Sequence, residues 1–233
     1  MKISVVIPAY NAADVIGETL DSVQRQTHAA YEVIVVDDGS TDDTAKVAAS
    51  HATRPLVLVK SNGGSPSAMN AGVAAAGGDA IAFLDADDLW SPDKLAAQAA
   101  ALQWAGSDHA VFGHGETFIC PSVPADLHAN LQFVKGRTPA YLCGSMLVGR
   151  PWLAEDGRLD ETLLTGYFIE WYRVARERGL KSLMLDQLVH FRRIRPGTLS
   201  SRKVRGGDTF SGNIVEIARR ALLAKRAASD ASR

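Results

Sequence analysis

The chain has 233 residues, 46% hydrophobic and 22% charged, with a net charge of −1. That length suits one large α/β domain, or one domain with a small C-terminal appendage, and the balanced charge argues against broad nucleic-acid binding. Cys120 and Cys143 form neither a metal-ligand spacing nor a disulfide framework. No stretch approaches the roughly 20 apolar residues of a membrane span, so a reduced, cytoplasmic protein without a transmembrane segment is expected.

In chain order, Ile3 to Ile7 is a β-branched run closed by Pro8, as a buried strand would be, and it is too short for a signal-peptide core. Asn11 to Gln26 follows helical periodicity, with Val15, Ile16, Leu20 and Val23 on one face. Tyr31 to Val36 is a second strand, closed by Asp37-Asp38-Gly39-Ser40, and Thr41 or Asp42 can cap a helix running to about Ser50. Leu56 to Val59 reads as a third strand, Asn62 to Pro66 as a loop, and Ser67 to Ala76 as a helix leading to the strand at Ile81 to Leu84. This alternation predicts a mainly parallel central sheet flanked by helices on both faces, with ligands beyond the carboxyl ends of the strands. Pro8 to Asn11, Asp37 to Ser40 and Asp85 to Asp88 should therefore converge on one edge.

The second half is less regular. Val111-Phe112 and Thr117 to Ile119 read as two strands, 121–139 as irregular, and Tyr141 to Val148 as another strand. Ile169 to Arg178 is an amphipathic helix stopped at Gly179, and Leu183 to Leu185 and Val189 to Phe191 close the sheet. Residues 1–210 are expected to form one domain, divided at 106/107 into a half that carries the strand-end loops and a less regular half. Residues 211–233 form a basic helix and tail, with Arg219, Arg220, Lys225 and Arg226 offering a contact to anionic membrane or a second copy.

The most informative stretch is Asp85-Ala86-Asp87-Asp88, where an apolar strand ends in three carboxylates with no Lys or Arg within five residues on either side. Such charges repel one another at the rim of a core and need a counter-charge. A divalent cation carrying a diphosphate supplies it, and oxygen-only ligands suit Mg2+ or Mn2+.

Together, Ser4 to Asn11, Val35 to Asp42 and Phe83 to Asp88 resemble the three N-terminal signatures of family-2 glycosyltransferases, and Asn62 to Asn70 resembles the loop and helix between the second and third. The resemblance is strong over residues 3–95 and weaker over 140–200. It implies a GT-A fold, Rossmann-like and of the nucleotide-diphospho-sugar transferase type. The implied activity is transfer of a sugar from a nucleotide-diphospho-sugar, usually with inversion and a bound divalent metal. It also implies that Pro8, Ala9, Tyr10 and Asn11 wall the nucleotide, and that Asp38, or alternatively Asp37, accepts a hydrogen bond from the uracil imino group. Residues 1–106 would bind the nucleotide sugar and 107–210 would form the acceptor side. Asn62, Gly63 and Asn70 would border the donor, or Asn62 and Asn70 would only fix the turn there; Asp85, with Ala86 beside it, would touch the ribose or the metal shell; Asp87 or Asp88 would bind the metal. An inverting transferase also needs a general base. Tyr167 and Phe168 stand where the family carries an acidic pair, which leaves Glu170 as the expected base and Asp160 and Glu161 as alternatives. Arg195 replaces a family histidine and would grip the diphosphate with its fork. The acceptor stays open among a glycan, a lipid carrier, a peptide and a small molecule, as does the oligomeric state. The competing reading is a catalytically silent domain that binds nucleotide sugar or a partner.

Overall fold

The computed structural model describes residues 1–124, 135–154, 157–163 and 165–195. The expected basic helix and tail, and the cationic Arg202, Lys203 and Arg205, lie outside those residues. The elements run β1 (Ile3–Ala9), α1 (Ile16–Gln24), β2 (Glu32–Asp37), α2 (Thr44–Ala49), β3 (Leu56–Val59), α3 (Ser65–Ala75), β4 (Ala80–Phe83), β5 (Leu89–Trp90), α4 (Lys94–Ala105), β6 (His109–Ile119), β7 (Thr138–Ala140), β8 (Leu147–Gly149), α5 (Tyr167–Glu177) and β9 (Lys181–Ile194).

All strands belong to one sheet ordered β3-β2-β1-β4-β8-β6-β9-β5, with β7 on β6. The expected parallel arrangement holds over β3-β2-β1-β4. Beyond it the pattern is mixed: β8 runs antiparallel to β4 and β6, and β9 runs parallel to β6. Parallel pairing of β1, β2 and β4 places Ala9, Asp37 and Phe83 at the same edge, which delivers the three polar loops to one place.

Period-2 alternation on β1 separates the two cores. Ile3, Val5 and Ile7 pack with Ile16 and Leu20 of α1 and Leu95 of α4, while Val6 packs with Ile34, Val36, Met69 of α3 and Trp171 of α5. Helix α3 lies so close to β1 that a Cβ on Gly72 would collide with Val6 Cγ1, so only glycine fits there.

Three sequence expectations change. The two runs at 111–119 are one strand, as are the two at 183–191. The pairing of these long strands shifts register between Phe112 and His114 and again before Gly115, and that irregularity interrupts the apolar alternation. The run Tyr141 to Val148 is a strand only at its end, because Cys143–Ser145 form a 3-10 turn before β8. The Ser145 hydroxyl caps it by donating to the carbonyls of Ala140 and Leu142. Trp90 Nε1 donates to Gly144 O at 2.8 Å, and the ring of His190 leaves no room for a side chain at Gly144.

Candidate functional site

The loop after β1 is tied to the loop after β2 by short polar contacts. Asn11, held at a positive φ of 49°, donates its backbone N–H to Ser40 Oγ at 2.9 Å, and its side-chain oxygen accepts from Thr41 N at 2.8 Å. Asn11 therefore shapes the loop through its side chain. Tyr10 beside it is half exposed.

Asp37 and Asp38 have separate duties. Asp37 Oδ1 accepts from Ser40 N at 3.0 Å and from the Ser40 hydroxyl, closing its own turn. Asp38 Oδ1 accepts from Lys60 Nζ at 2.8 Å and Gly63 N at 3.0 Å, and its Oδ2 accepts from Gly64 N at 2.7 Å. Its carboxylate thus pins the Asn62 to Gly64 loop beside the β2 edge. Asn62 itself is exposed. Asn70 is buried and serves as a clamp: its amide donates to Leu159 O and to Glu161 Oε1, both at 2.9 Å, and its oxygen accepts from Leu159 N at 3.0 Å. Both amide hydrogens of Asn70 are thus committed to the protein.

The carboxylate turn is held from two sides. From α1, the Thr19 hydroxyl donates to Ala86 O at 2.8 Å and Asp88 O at 3.0 Å. From β9, Arg193 Nε donates to Asp87 O at 2.7 Å, and its guanidinium pairs with Glu18 at 2.7 Å. Asp88 is buried; its Oδ2 meets His190 Nε2 at 2.9 Å and its Oδ1 accepts from Arg193 N at 2.7 Å. Both oxygens of Asp88 are taken by protein partners and its side chain is buried, while Asp85 and Asp87 are partly exposed. Asp85 keeps some access to solvent, yet the packing around it and the charges of Asp88 and Asp87 push its carboxyl up to about 7. Asp87 is also raised, by burial and by Asp88, while Arg195 works in the opposite direction.

Arg195 follows β9 directly. Its Nε lies 3.2 Å from Asp87 Oδ2, its Nη1 3.0 Å from Asp14 Oδ1, and its Nη2 3.3 Å from Asn11 O. One side chain thus joins the β1 loop to the carboxylate turn.

Helix α5 brings Tyr167 to this edge. The Tyr167 hydroxyl is 3.1 Å from Ser65 Oγ at the start of α3. Burial and the neighbouring Asp85 push its phenol above the usual tyrosine range, so it stays protonated. Phe168 enters an aromatic cluster, stacked on Trp171 and Tyr172. Glu170 forms a two-pronged pair with Arg173, 2.9 Å at each contact. It lines a cavity of about 160 Å³ with Trp152, Arg158, Asp160, Trp171 and Arg178, which the carboxylate turn does not border. Glu161 lies by α3, where hydrogen bonds from Asn70 and Ser67 hold its carboxyl below the ordinary value. The indoles of Trp152 and Trp171 donate to Ser107 O and Trp152 O, which makes both framework residues. His114 Nδ1 lies 3.0 Å from Leu185 O within the β6–β9 pair.

Sequence reasoning missed Thr19, Glu18 and Arg193 as holders of the turn, and Lys60 as the partner of Asp38. The last had a signal, since Lys60 is the first cation after β3 at the edge where Asp38 emerges.

Among the described residues no group of three or more His, Cys, Asp or Glu side chains converges to hold a metal ion. The donor set nevertheless fits a hard divalent cation, because Asp85 and Asp87 supply carboxylate oxygens with excess negative charge, and such ions commonly take one or two carboxylates plus substrate phosphate.

Comparison with known proteins agrees with this geometry. The family model described as glycosyl transferase family 2 matches residues 4–141. A glycosyltransferase of Nostoc is 46% identical over 99 residues, covering 41% of this chain and 31% of that protein. The amylovoran biosynthesis glycosyltransferase AmsB of Erwinia amylovora is 43% identical over 101 residues, 41% of this chain and 34% of its own length. The chain thus spans about a third of the length of these relatives. Among solved structures, S. aureus TarS 1–349 in complex with UDP-GlcNAc superposes with a TM-score of 0.68 at 23% identity, over 88% of this chain and 62% of that one. The mannosyltransferase PcManGT from Pyrobaculum calidifontis, in complex with GDP-Man and Mn2+, gives 0.61 at 22% identity, over 84% and 58%. These structures share the mixed α/β fold of GT-A glycosyltransferases. With its three strand-end loops on one edge and more than half its length inside the family model, the chain belongs to glycosyl transferase family 2.

Proposed function

We propose that the protein transfers a sugar from a nucleotide-diphospho-sugar, a UDP-sugar foremost, to an acceptor, with inversion and with Mn2+ or Mg2+ bound at Asp87, Asp85 lying at the ribose or in the metal shell. The observation that carries this reading is the meeting of the β1, β2 and β4 loops at one edge, where the partly exposed carboxylates of Asp85 and Asp87 have raised pKa values. A cation held there would act as a Lewis acid toward the leaving diphosphate. The rest falls to the chain itself. Tyr10 presents a ring face to the base, and Asp38 with Lys60 holds the Gly63-Gly64 backbone at the nucleotide's flank. Tyr167 bridges to Ser65 beside Asp85 and closes the side of the site that α5 borders. The nucleotide-sugar ligands of TarS and PcManGT, and the Mn2+ of the latter, are consistent with that donor class.

Glu170 is the proposed base, and in that role its fork with Arg173 must open toward the acceptor. That same fork favours a second reading, a domain that binds nucleotide sugar without turning it over. Incubation with UDP-hexoses and Mn2+ separates the two. Donor hydrolysis or transfer supports the enzyme, and nucleotide binding with no turnover supports the silent domain. Within the enzyme reading, Glu170→Gln should stop transfer while UDP affinity stays within about twofold; loss of both would make Glu170 a framework residue.

A further inference from the structure

Arg195 sits where a bound cation would need to neutralise charge. It is nearly buried, with 15% of its side chain exposed, and its fork spans Asp87, Asp14 and Asn11 O. Its backbone has little freedom, because two residues earlier Arg193 is bonded to Asp88 through its N–H, to Asp87 O through its Nε and to Glu18 through its guanidinium. Asp87 itself is 21% exposed and lies next to the negative Asp88, so an unpaired carboxylate there is costly.

We propose that Arg195 is a resident counter-cation, which occupies Asp87 in the nucleotide-free protein and competes with a divalent cation for that carboxylate. The proposal rests on the nucleotide-sugar reading above. Two positive groups cannot share one carboxylate without repelling each other, so the cation alone meets an occupied site. A metal–diphosphate complex brings its own negative charge, which gives the displaced guanidinium a new partner in the phosphates. Metal and nucleotide therefore bind with positive coupling, and the site avoids holding free cation in the absence of donor. Asp14 and Asn11 O keep Arg195 close while Asp87 changes partner, which a shorter or uncharged side chain would not do.

The test is calorimetric titration of Mn2+ alone, of UDP at saturating Mn2+, and of UDP in EDTA, on the wild-type chain, Arg195→Gln and Arg195→Lys, with thermal unfolding to confirm that each variant is folded. For Arg195→Gln, Mn2+ alone should bind roughly tenfold more tightly and UDP with Mn2+ roughly tenfold more weakly. Arg195→Lys, which keeps the charge and loses the fork, should fall between and covers the case in which the glutamine variant does not fold. Unchanged or weaker binding of Mn2+ alone in the variants overturns the competition. So does wild-type UDP binding that is undiminished in EDTA, since Arg195 would then be the permanent counter-ion. If the wild-type chain binds no UDP under any condition, the nucleotide-sugar reading falls as well.

Discussion

Asp87 and Asp88 are adjacent in sequence, and a count of charges treats them alike. The structure turns one toward the ligand edge and buries the other against His190 and Arg193. Asp87→Ala should accordingly abolish turnover and Mn2+-dependent UDP binding while shifting Tm by no more than roughly 3 °C, as read by calorimetry alongside thermal unfolding. A large fall in Tm would place Asp87 in the framework. His190→Ala removes one of the two groups holding Asp88 and leaves a buried charge short of a partner. A loss of about 3–5 kcal/mol is expected, with Tm falling on the order of 10 °C. An unchanged Tm would mean that Asp88 finds water or another donor. Asp85 to Asp88 are legible as a functional cluster in the sequence, because three carboxylates without a nearby cation are hard to explain otherwise. The division of labour among them is not legible, since the partners that decide it lie about a hundred residues away, on β9 and directly after it.

At the scale of elements, α3 and the segment before α5 are joined by Asn70 rather than by apolar packing alone. The sequence offers Asn70 equally as a donor contact or as a loop-fixing residue. Its three hydrogen bonds to Leu159 and Glu161 tie α3 to the segment that precedes α5, the helix whose Tyr167 meets Ser65 at the start of α3. Asn70→Ala should cost about 3 kcal/mol, because Leu159 N and O lose buried partners, seen as a lower urea midpoint at unchanged m-value. Weaker UDP binding without loss of stability would instead assign Asn70 to the donor. The first four strands and their helices are readable from periodicity, since each is short, apolar and ended by a turn signal. Strands β6 and β9 are not. Their shifted register around His114 and the Gly113 and Gly115 positions break the alternation, so each reads as two pieces.

For the whole molecule, one stability feature depends on a side chain outside the site. Lys94 is fully buried between Trp90, whose indole lies 4.1 Å from Nζ, and Gln98, whose oxygen accepts from it at 2.7 Å. Burial holds its amine well below the ordinary lysine value. The folded state therefore binds fewer protons than the unfolded state over the window between the lowered value and the ordinary 10.5, and stability rises with pH across it. Asp85 contributes a slope of opposite sign, but only up to about 7, above which it is ionised in both states. Between about pH 8 and 9 the wild-type chain should gain stability with pH relative to Lys94→Met, measured by urea unfolding. Parallel curves for the two proteins would show that Lys94 stays charged when folded. No helix among the described residues is long and apolar enough to cross a membrane.

The identity of the carboxylates that receive the metal and its diphosphate decides how this site works. A crystal structure of the chain with UDP and Mn2+ reads this directly. Mn2+ should lie on Asp87, with Asp85 at the ribose or in the metal shell, Arg195 moved from Asp87 to the phosphates, and Asp88 still bonded to His190. Nucleotide bound elsewhere, or Mn2+ held by Asp88 with Arg195 unmoved, would contradict it.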